Sequence, residues 1–190
     1  MKVLRDIFFL TAGIVVVSCG NGNKSSNDVA SDSDKETPIV NDSALYGIVG
    51  RATAMHTVEI VDENGKSTTA LLNIDMEADV QGGIYCDDHL TMVLSVNGEG
   101  EKEVVKAINL TSLCGHWTSL DRNFEIMEDG TVISMQNAET HPYTHWSMVN
   151  CNLILNRDTF DVAYLGPDSL ALENDRGIFV YKRVIDNELH

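Results

Sequence analysis

Basic residues are scarce in this sequence, and so are long apolar runs. The 190 residues include 13 lysines and arginines against 29 aspartates and glutamates, a formal net charge of −16. Because proteins neutralise nucleic-acid phosphates with basic patches, this balance argues against a nucleic-acid partner. A membrane-spanning helix needs about 20 consecutive apolar residues, and no stretch after Cys19 is apolar enough. We therefore expect neither a nucleic-acid interface nor a transmembrane helix in the body of the chain.

Motifs for enzymatic chemistry are also missing. Ser134 and Ser147 lie outside any Gly-x-Ser-x-Gly setting, so neither is supported as a nucleophile. The run at 87–89, Asp-Asp-His, suggests acid–base work, but no partner can be identified by spacing, and a turn leading into a strand explains it better. His141 and His145 have a spacing that suits zinc on a helix, but the proline between them and the strand context spoil that geometry. We therefore expect no enzyme, no catalytic residue, no metal and no cofactor.

The segment from Met1 to Cys19 has the parts of an export signal. A lysine and an arginine give a positive start, and residues 7–17 form an apolar run that is too short to span a bilayer but fits a signal peptide. The run ends at Ser18-Cys19, a small residue directly before a cysteine. This pattern resembles the lipobox of bacterial lipoproteins. The resemblance implies that residues 1–18 are removed and that Cys19 is acylated, which would anchor the chain to the cell envelope, on the outer membrane.

Residues 19–44 are expected to be a flexible, lipidated tether. Between Gly20 and Ser43 there are almost no large apolar residues, so the segment cannot bury enough surface to fold. Its acidic stretch at 28–36 resembles the segments that direct some Bacteroidetes lipoproteins to the cell surface. A solvated linker is the simpler interpretation of the same residues.

Three cysteines, Cys86, Cys114 and Cys151, remain once Cys19 is assigned to the lipid. An odd number outside the cytosol leaves at least one thiol free, buried or paired with another molecule. Cys114 and Cys151 could form a disulfide, since both lie in or beside predicted strands of one domain. None of the three belongs to a Cys-x-x-Cys motif, so we expect buried, inert thiols rather than redox or metal chemistry.

The folded part is predicted to be all-β, with two small β-domains. Turn signals such as Asn64-Gly65 divide the chain into short segments, and the alternating apolar residues of 90–96 are typical of a half-buried strand. Residues 45–110 contain five predicted strands, with an irregular segment after the third in which 74–81 could form a helical turn. This arrangement resembles the OB-fold, a partly open barrel. The strands are predicted at 46–53, 57–61, 68–74, 89–96 and 103–109.

Residues 111–185 are predicted to form a second barrel, followed by a tail at 186–190. An opening strand and seven more give eight strands in up-and-down order, which would close into a barrel. The opening carries Gly115 and Trp117, the Gly-x-Trp of lipocalin-type barrels, and the last strand ends at Arg183. The domain thus resembles the short lipocalin-like domains of Bacteroidetes lipoproteins. The later strands are predicted at 124–127, 131–135, 144–149, 152–156, 160–165, 169–173 and 178–183.

This resemblance implies a structural role for three residues. In lipocalin-type barrels the opening tryptophan plugs one end, and a basic residue of the final strand covers it. Trp117 and Arg183 would occupy those places as a cation–π pair, with Gly115 beginning the motif. Bacterial envelope-stress or copper-resistance lipoproteins that join a lipocalin-like and an OB-like domain are a more distant comparison, because here the domain order is reversed and their Cys-x-x-Cys is absent.

Ligand binding by the second barrel depends on its interior. An eight-stranded barrel is just wide enough to be filled by side chains or to hold one small ligand. The residues predicted to point inward are bulky, so we expect a filled core; they are Phe124, Ile126, Ile133, Met135, Trp146, Met148, Phe160, Val162 and Tyr164. Tyr143 and Trp146, near a strand start, could instead form a rim that contacts a ligand or a partner.

Three functional classes follow from these patterns. A membrane-anchored, non-catalytic module that binds a protein or a glycan predicts a specific exposed apolar or aromatic patch. A lipocalin-type carrier of a small apolar ligand predicts an open cavity in the second barrel. An inhibitor of a cationic enzyme predicts a concentrated acidic loop and binding that salt weakens. The membrane, reached through the N-terminal lipid, is the one partner that the sequence indicates.

Overall fold

A computed structural model describes residues 41–72, 78–136 and 139–185, and these residues are almost entirely β-structure. Strands β1 (Leu45–Val49), β2 (Thr57–Val61), β3 (Ser67–Leu71), β4 (Asp79–Gln81), β5 (His89–Val96) and β6 (Lys102–Asn109) form a first sheet. After the short helix α1 (Leu110–Leu113), a second sheet contains β7 (Gly115–Thr118), β8 (Asn123–Ile126), β9 (Val132–Ser134), β10 (Trp146–Val149), β11 (Asn152–Leu155), β12 (Asp158–Leu165), β13 (Ser169–Asn174) and β14 (Gly177–Arg183). The predicted all-β class with two small β-domains is confirmed. Within the described residues, no helix is long and apolar enough to cross a membrane.

The first sheet is a small, partly open barrel. Its strand order is β3-β2-β1-β5-β6-β4, and β3 also pairs with β6 through Leu71 and Glu103. This short parallel pairing curls five of the strands around a common core, the OB-like arrangement that the sequence predicts. The core consists of Val49, Val58, Ile60, Ala70, Leu90, Met92, Val104 and Ala107.

The connection between β3 and β5 departs from the sequence prediction. By its sequence the stretch 74–81 could form a helical turn, but its last three residues form β4, which pairs in parallel with β6. Residues 74–77 lie outside the described part. Gln81 accepts the backbone N–H of Leu165 at 2.9 Å, and the N–H of Gly82 donates to the carbonyl of Leu165 at 2.9 Å. Leu165 belongs to the second sheet, so the local strand or helix propensity of 74–81 could not indicate these hydrogen bonds.

The second sheet is a nearly closed barrel of eight antiparallel strands. Its order is β10-β11-β12-β13-β14-β7-β8-β9, so the last strand in sequence pairs with the first. The outer strands β9 and β10 approach through a bridge between Thr131 and His145 and a hydrogen bond from the N–H of Val132 to the carbonyl of Thr144 at 3.0 Å. The eight strands and their order are those predicted, and each predicted boundary lies within two residues of the observed one.

Side chains fill the interior of this barrel. Of the residues predicted to point inward, five are buried: Phe124, Ile126, Met148, Phe160 and Val162. They pack in one cluster with Trp117 and Tyr181 and with leucines from β11, β12 and β13. The packing follows the period-2 alternation of half-buried strands.

Three of the inward predictions are wrong. Ile133 and Met135 are exposed because β9 buries Val132 instead, one residue out of phase with the predicted alternation. Tyr164 is exposed because a β-bulge shifts the register of β12 after Val162. A bulge inserts one extra residue and so reverses the faces that follow it, which alternation along one strand cannot indicate.

The two barrels contact each other through residues of β6. Lys106 of β6 contacts the carboxylates of Asp161 in β12 and Asp79 in β4, the latter at 3.1 Å. Although burial opposes its charge, these hydrogen bonds and charges raise the pKa of Lys106 above its ordinary value. Ile108, also from β6, packs in the core of the second barrel. The junction is therefore both ionic and apolar.

Residues 41–44 belong to the folded part rather than to the predicted tether. The backbone N–H of Asn150 donates to Oδ1 of Asp42 at 3.0 Å, and the N–H of Ser43 donates to Oδ1 of Asn150 at 2.8 Å. Tyr46 also donates its hydroxyl to the carbonyl of Met148 at 3.0 Å. The start of the described chain is thus fastened to the second barrel. The remainder of the predicted tether and the predicted signal peptide, with Cys19, lie outside the described residues, as does the tail at 186–190.

Candidate functional site

Trp117 and Arg183 lie together at the end of the second barrel that faces α1. Trp117 is fully buried, and its Nε1 donates to the carbonyl oxygen of Leu113 at 2.8 Å. Arg183 is opposite Trp117 in the β7–β14 pairing, and its guanidinium carbon lies 4.1 Å from the centre of the indole ring. The two side chains that the lipocalin resemblance pairs therefore form a cation–π contact.

Arg183 also satisfies backbone carbonyls around this end of the barrel. Its Nε donates to Pro167 at 2.8 Å, its Nη1 to Cys114 at 2.9 Å, and its Nη2 to Ser112. Because α1 is about one turn long, carbonyls at its end have few helical partners of their own. The guanidinium ties β14 to α1 and closes the barrel, which is a structural role.

Gly115 completes this unit, and its replacement by alanine is expected to destabilise the protein. Its φ of +131° favours glycine, and a Cβ at this position would collide with Nη1 of Arg183. Gly177 is the matched control, because its φ is +130° and a Cβ there would have no atom within 4 Å. We expect Gly177→Ala to cost about 1–2 kcal/mol. Gly115→Ala should cost about 1–3 kcal/mol more, since it displaces a charged hydrogen-bond donor. Urea unfolding of both variants measures the difference, and equal losses would mean that Arg183 moves aside freely.

The opposite end of the second barrel, here called the mouth, carries most of the arginines of this domain. It is formed by the turns at 119–122, 139–143, 156–157 and 175–176. Five basic residues lie between 111 and 185, and three of them are arginines in these turns: Arg122, Arg157 and Arg176. The same turns also contain Asp121, Glu139 and Asp175, so their formal charges balance.

Two of the three arginines are paired with carboxylates. Arg122 forms an ion pair with Glu139 and also covers the ring of Tyr143, with 4.5 Å between the guanidinium carbon and the ring centre. Arg176 pairs with Asp158 at 2.9 Å. These contacts hold the turns of the mouth together, and they neutralise much of its charge. We therefore do not expect the mouth to bind a partner through charge alone.

An open seam runs from the mouth along one side of β14. β7 ends at Thr118 because a tight turn follows, in which the N–H of Ser119 donates to the carbonyl of Arg122 at 2.7 Å. β14 is longer and pairs with β7 only through Lys182 and Arg183. In the part of the chain that the structure describes, the first half of β14 therefore has β13 on one side and no strand on the other.

The backbone groups of Ile178 and Val180 face this seam. Successive residues of an antiparallel strand direct their backbone groups alternately to its two neighbours. The N–H of Arg183 bonds to the turn before β13, whereas that of Val184 bonds to β7. The backbone groups of the even-numbered residues of β14 therefore point towards β7. Those of Ile178 and Val180 point towards the space beyond the end of β7. Neither has a backbone hydrogen-bond partner on that side among the described residues.

A cleft of about 550 Å³ lies between β14 and the turn at 119–122. Its floor is aromatic and comes from the barrel interior: Tyr143, Phe160, Phe179 and Tyr181. Its rim carries Leu120, Ile178 and Val180, which are 98%, 62% and 60% exposed. Exposed apolar side chains grouped around a concave surface mark interaction sites. We call this feature the seam cleft.

The floor of the seam cleft is held by aromatic packing. Phe124 contacts the rings of Tyr143 and Tyr181 edge to face, at 5.5 and 5.1 Å between ring centres. Phe160 and Phe179 form a third edge-to-face pair at 5.8 Å. Burial raises the pKa of both Tyr143 and Tyr181, so their hydroxyls stay neutral at physiological pH. The floor is therefore preformed, apolar and uncharged.

The two aromatic residues predicted as ligand or partner contacts lie in different places. Tyr143 is part of the seam cleft. Trp146, also predicted to point inward, is only partly buried, and it lines a separate cavity of about 190 Å³ with Cys114 and Glu128. Its Nε1 donates to the carbonyl of Met127 at 2.7 Å, which fastens the ring to the β8–β9 turn. Tyr143 and Trp146 therefore line separate cavities, and a role of either in binding stays a prediction.

The residues that define the rim were missed by sequence reasoning. Ile178 and Val180 fall in a strand that is apolar on both faces, since Phe179 and Tyr181 alternate with them. A run of this kind usually indicates a strand buried on both sides. Here it instead marks a surface strand with one open edge. Leu120, in a polar turn, carries no comparable pattern.

Cys114 and Cys151, which the sequence left open as a possible pair, are both free thiols and occupy separate environments. Cys151 is buried at the junction of the barrels, 3.9 Å from Oγ1 of Thr91. Cys114 faces the small cavity beside Trp146, where burial raises its pKa to about 11. A thiol with that pKa is almost entirely protonated near neutral pH and is a poor nucleophile.

Two of the residues considered for catalysis have hydrogen-bond partners of their own. Ser134 donates its hydroxyl to Glu139 at 2.6 Å, and Asp88 accepts a hydrogen bond from Asn109 at 2.6 Å. His141 and His145 both border a shallow depression of the mouth next to the seam cleft. Over residues 41–72, 78–136 and 139–185, no three His, Cys, Asp or Glu side chains are grouped so as to hold a metal ion.

Known protein families, curated proteins and solved structures offer no match for this chain.

Proposed function

We propose that the protein is a cell-envelope lipoprotein, anchored through Cys19, whose folded part is a non-catalytic binding module. The signal and lipobox pattern of residues 1–19 supports the anchor. The seam cleft supports binding. Two or three acyl chains, at about 0.8 kcal/mol for each buried methylene, would hold such a protein on a membrane permanently.

The exposed rim of the seam cleft is the observation that carries the proposal. Leu120, Ile178 and Val180 are large apolar side chains in contact with solvent, and they border one concave surface. Scattered exposed apolar residues are normal on proteins, but a group around a preformed cleft indicates a partner. The paired charges at Arg122 and Arg176 supply the polar border that such interfaces have.

A small-ligand carrier is the alternative, and the interior of the second barrel argues against it. The centre of that barrel is occupied by bulky buried side chains, among them Trp117, Phe124, Phe160 and Tyr181. A carrier of lipocalin type encloses its ligand there. An inhibitor of a cationic enzyme is less favoured, because Asp158, one of the two carboxylates that line the seam cleft, is already paired with Arg176.

Photo-cross-linking in intact cells tests the proposal. A photoreactive phenylalanine analogue at position 180 is expected to give a discrete cross-linked product, because Val180 lies on the rim of the seam cleft. The matched control places the same analogue at position 55. Met55 is 77% exposed but belongs to the first barrel. The same product from both positions, or none from position 180, would contradict the proposed binding site.

A further inference from the structure

We propose that the seam cleft binds an extended peptide segment of a partner protein, which adds to β14 as an extra strand. This inference rests on the proposed function and specifies its partner. Strand addition to an open sheet edge is a recurrent mode of peptide recognition, in which backbone hydrogen bonds supply affinity and alternate side chains supply specificity.

The unpaired backbone of β14 is the first argument. Ile178 and Val180 each present one N–H and one carbonyl towards the seam, without backbone partners in the part of the chain that the structure describes. On the opposite side, β13 pairs with β14 from Gly177 to Lys182. The edge is therefore already in strand conformation. An incoming strand would find four backbone groups in register.

The direction of the peptide follows from β7. β7 runs antiparallel to β14 and stops at Thr118, beside Lys182. A peptide that is antiparallel to β14 would continue the line of β7 and complete the barrel wall. Residues opposite Ile178 and Val180 would then face outward, and the residue between them would face the aromatic floor. We expect that central residue to be apolar, because Phe160, Phe179 and Tyr181 form the floor.

A second copy of the chain fits the edge poorly. Two β14 strands paired symmetrically in the register that sets Ile178 opposite Val180 of the other copy also set Arg176 opposite Lys182. That side of Lys182 is already occupied by Thr118 of β7. The turn at 175–176 would therefore meet β7 of the other copy. A single extended peptide has no such turn and can enter between β14 and the turn at 119–122.

Amide hydrogen exchange measured by NMR tests this inference on the mature chain. The probe is a short peptide of alternating threonine and valine with a central phenylalanine and a lysine at each end. Without peptide, the amides of Ile178 and Val180 should exchange rapidly, because they face solvent. Saturating peptide should slow both by at least about tenfold. The exposed Met55 amide, whose residue lies in the first barrel, should be unchanged.

Two controls alter the backbone, one in the peptide and one in the protein. A peptide N-methylated at the two threonines beside its phenylalanine lacks the donors for β14 and should bind at least about tenfold more weakly. Val180→Pro removes only an N–H that faces the seam, a position where edge strands tolerate proline. It should abolish binding, whereas Val180→Ala should retain most of it. The methylated peptide gives the same information without altering the protein, so the test does not depend on folding of the proline variant.

Several outcomes would overturn strand addition. They are slow exchange at Ile178 and Val180 before peptide is added, protection that depends on protein concentration, equal binding of the methylated peptide, and no binding at millimolar peptide. A product cross-linked at position 180 without amide protection would leave the proposed function standing, as binding of a glycan would do, and would reject the peptide strand. Amide protection by the peptide without any cross-linked product in cells would leave strand addition to β14 standing and would reject the proposed function.

Discussion

A variant in which Trp117 is replaced by alanine is expected to lose about 3–5 kcal/mol of its free energy of unfolding. The indole is fully buried, donates to Leu113 at 2.8 Å and lies under the guanidinium of Arg183. Its removal leaves a cavity at the closed end of the second barrel and takes the aromatic partner from a partly buried cation. Because domains are stable by only about 5–15 kcal/mol, such a loss is a large part of the free energy of unfolding.

Urea unfolding followed by circular dichroism measures this loss, and Trp146→Ala is the matched control. Trp146 also donates its Nε1 to a backbone carbonyl, that of Met127 at 2.7 Å, but its side chain is only partly buried. Its replacement should cost about 1–2 kcal/mol, since less apolar surface and no closed cavity are involved. Equal losses at the two tryptophans would show that Trp117 does not hold the barrel closed.

Replacement of Cys19 by alanine is expected to release the protein from the membrane fraction of the cells that produce it. The thioether to the lipid needs a cysteine, so the variant should incorporate no labelled palmitate. The apolar run of an unprocessed signal peptide extends only from Ile7 to Val17, which is too short for a stable spanning helix. Membrane fractionation after metabolic labelling with palmitate measures both effects.

Cys86→Ala is the control for this experiment. Cys86 is the exposed cysteine of the folded part, so its loss should alter neither labelling nor fractionation. Retention of palmitate in the Cys19→Ala variant would place the lipid elsewhere. Loss of palmitate with unchanged membrane association would mean that another part of the chain binds the membrane.

The strands of the second barrel could be located from sequence because their signal is local. The apolar side chains of β8 and β12 alternate, and the Gly-x-Trp at Gly115 and Trp117 marks the opening strand. The pairing of Trp117 with Arg183, at the far end of the same domain, came from a family resemblance rather than from alternation. The structure places them opposite each other because β14 returns to β7.

The errors arise where distant residues decide the local conformation. Tyr164 turned outward because of a bulge, which depends on how β12 and β13 fit together. β4 forms in a stretch that could have made a helical turn, because β6 and Leu165 offer hydrogen-bond partners. Residues 41–44, which the sequence places in the tether, contact the second barrel for a similar reason, since Asn150 binds Asp42 and Ser43.

Local pattern therefore specifies the all-β class and the position of nearly every strand, and it predicts the export signal, because each depends on residues close together in the chain. The seam cleft depends on folding in three dimensions. β7 stops at Thr118 where the turn of Ser119 begins, while β14 continues beyond that point alongside β13. The open edge at Ile178 and Val180 is the difference in length between the first and the last strand of the second barrel. No stretch of sequence carries that difference, because it exists only when the two strands lie side by side.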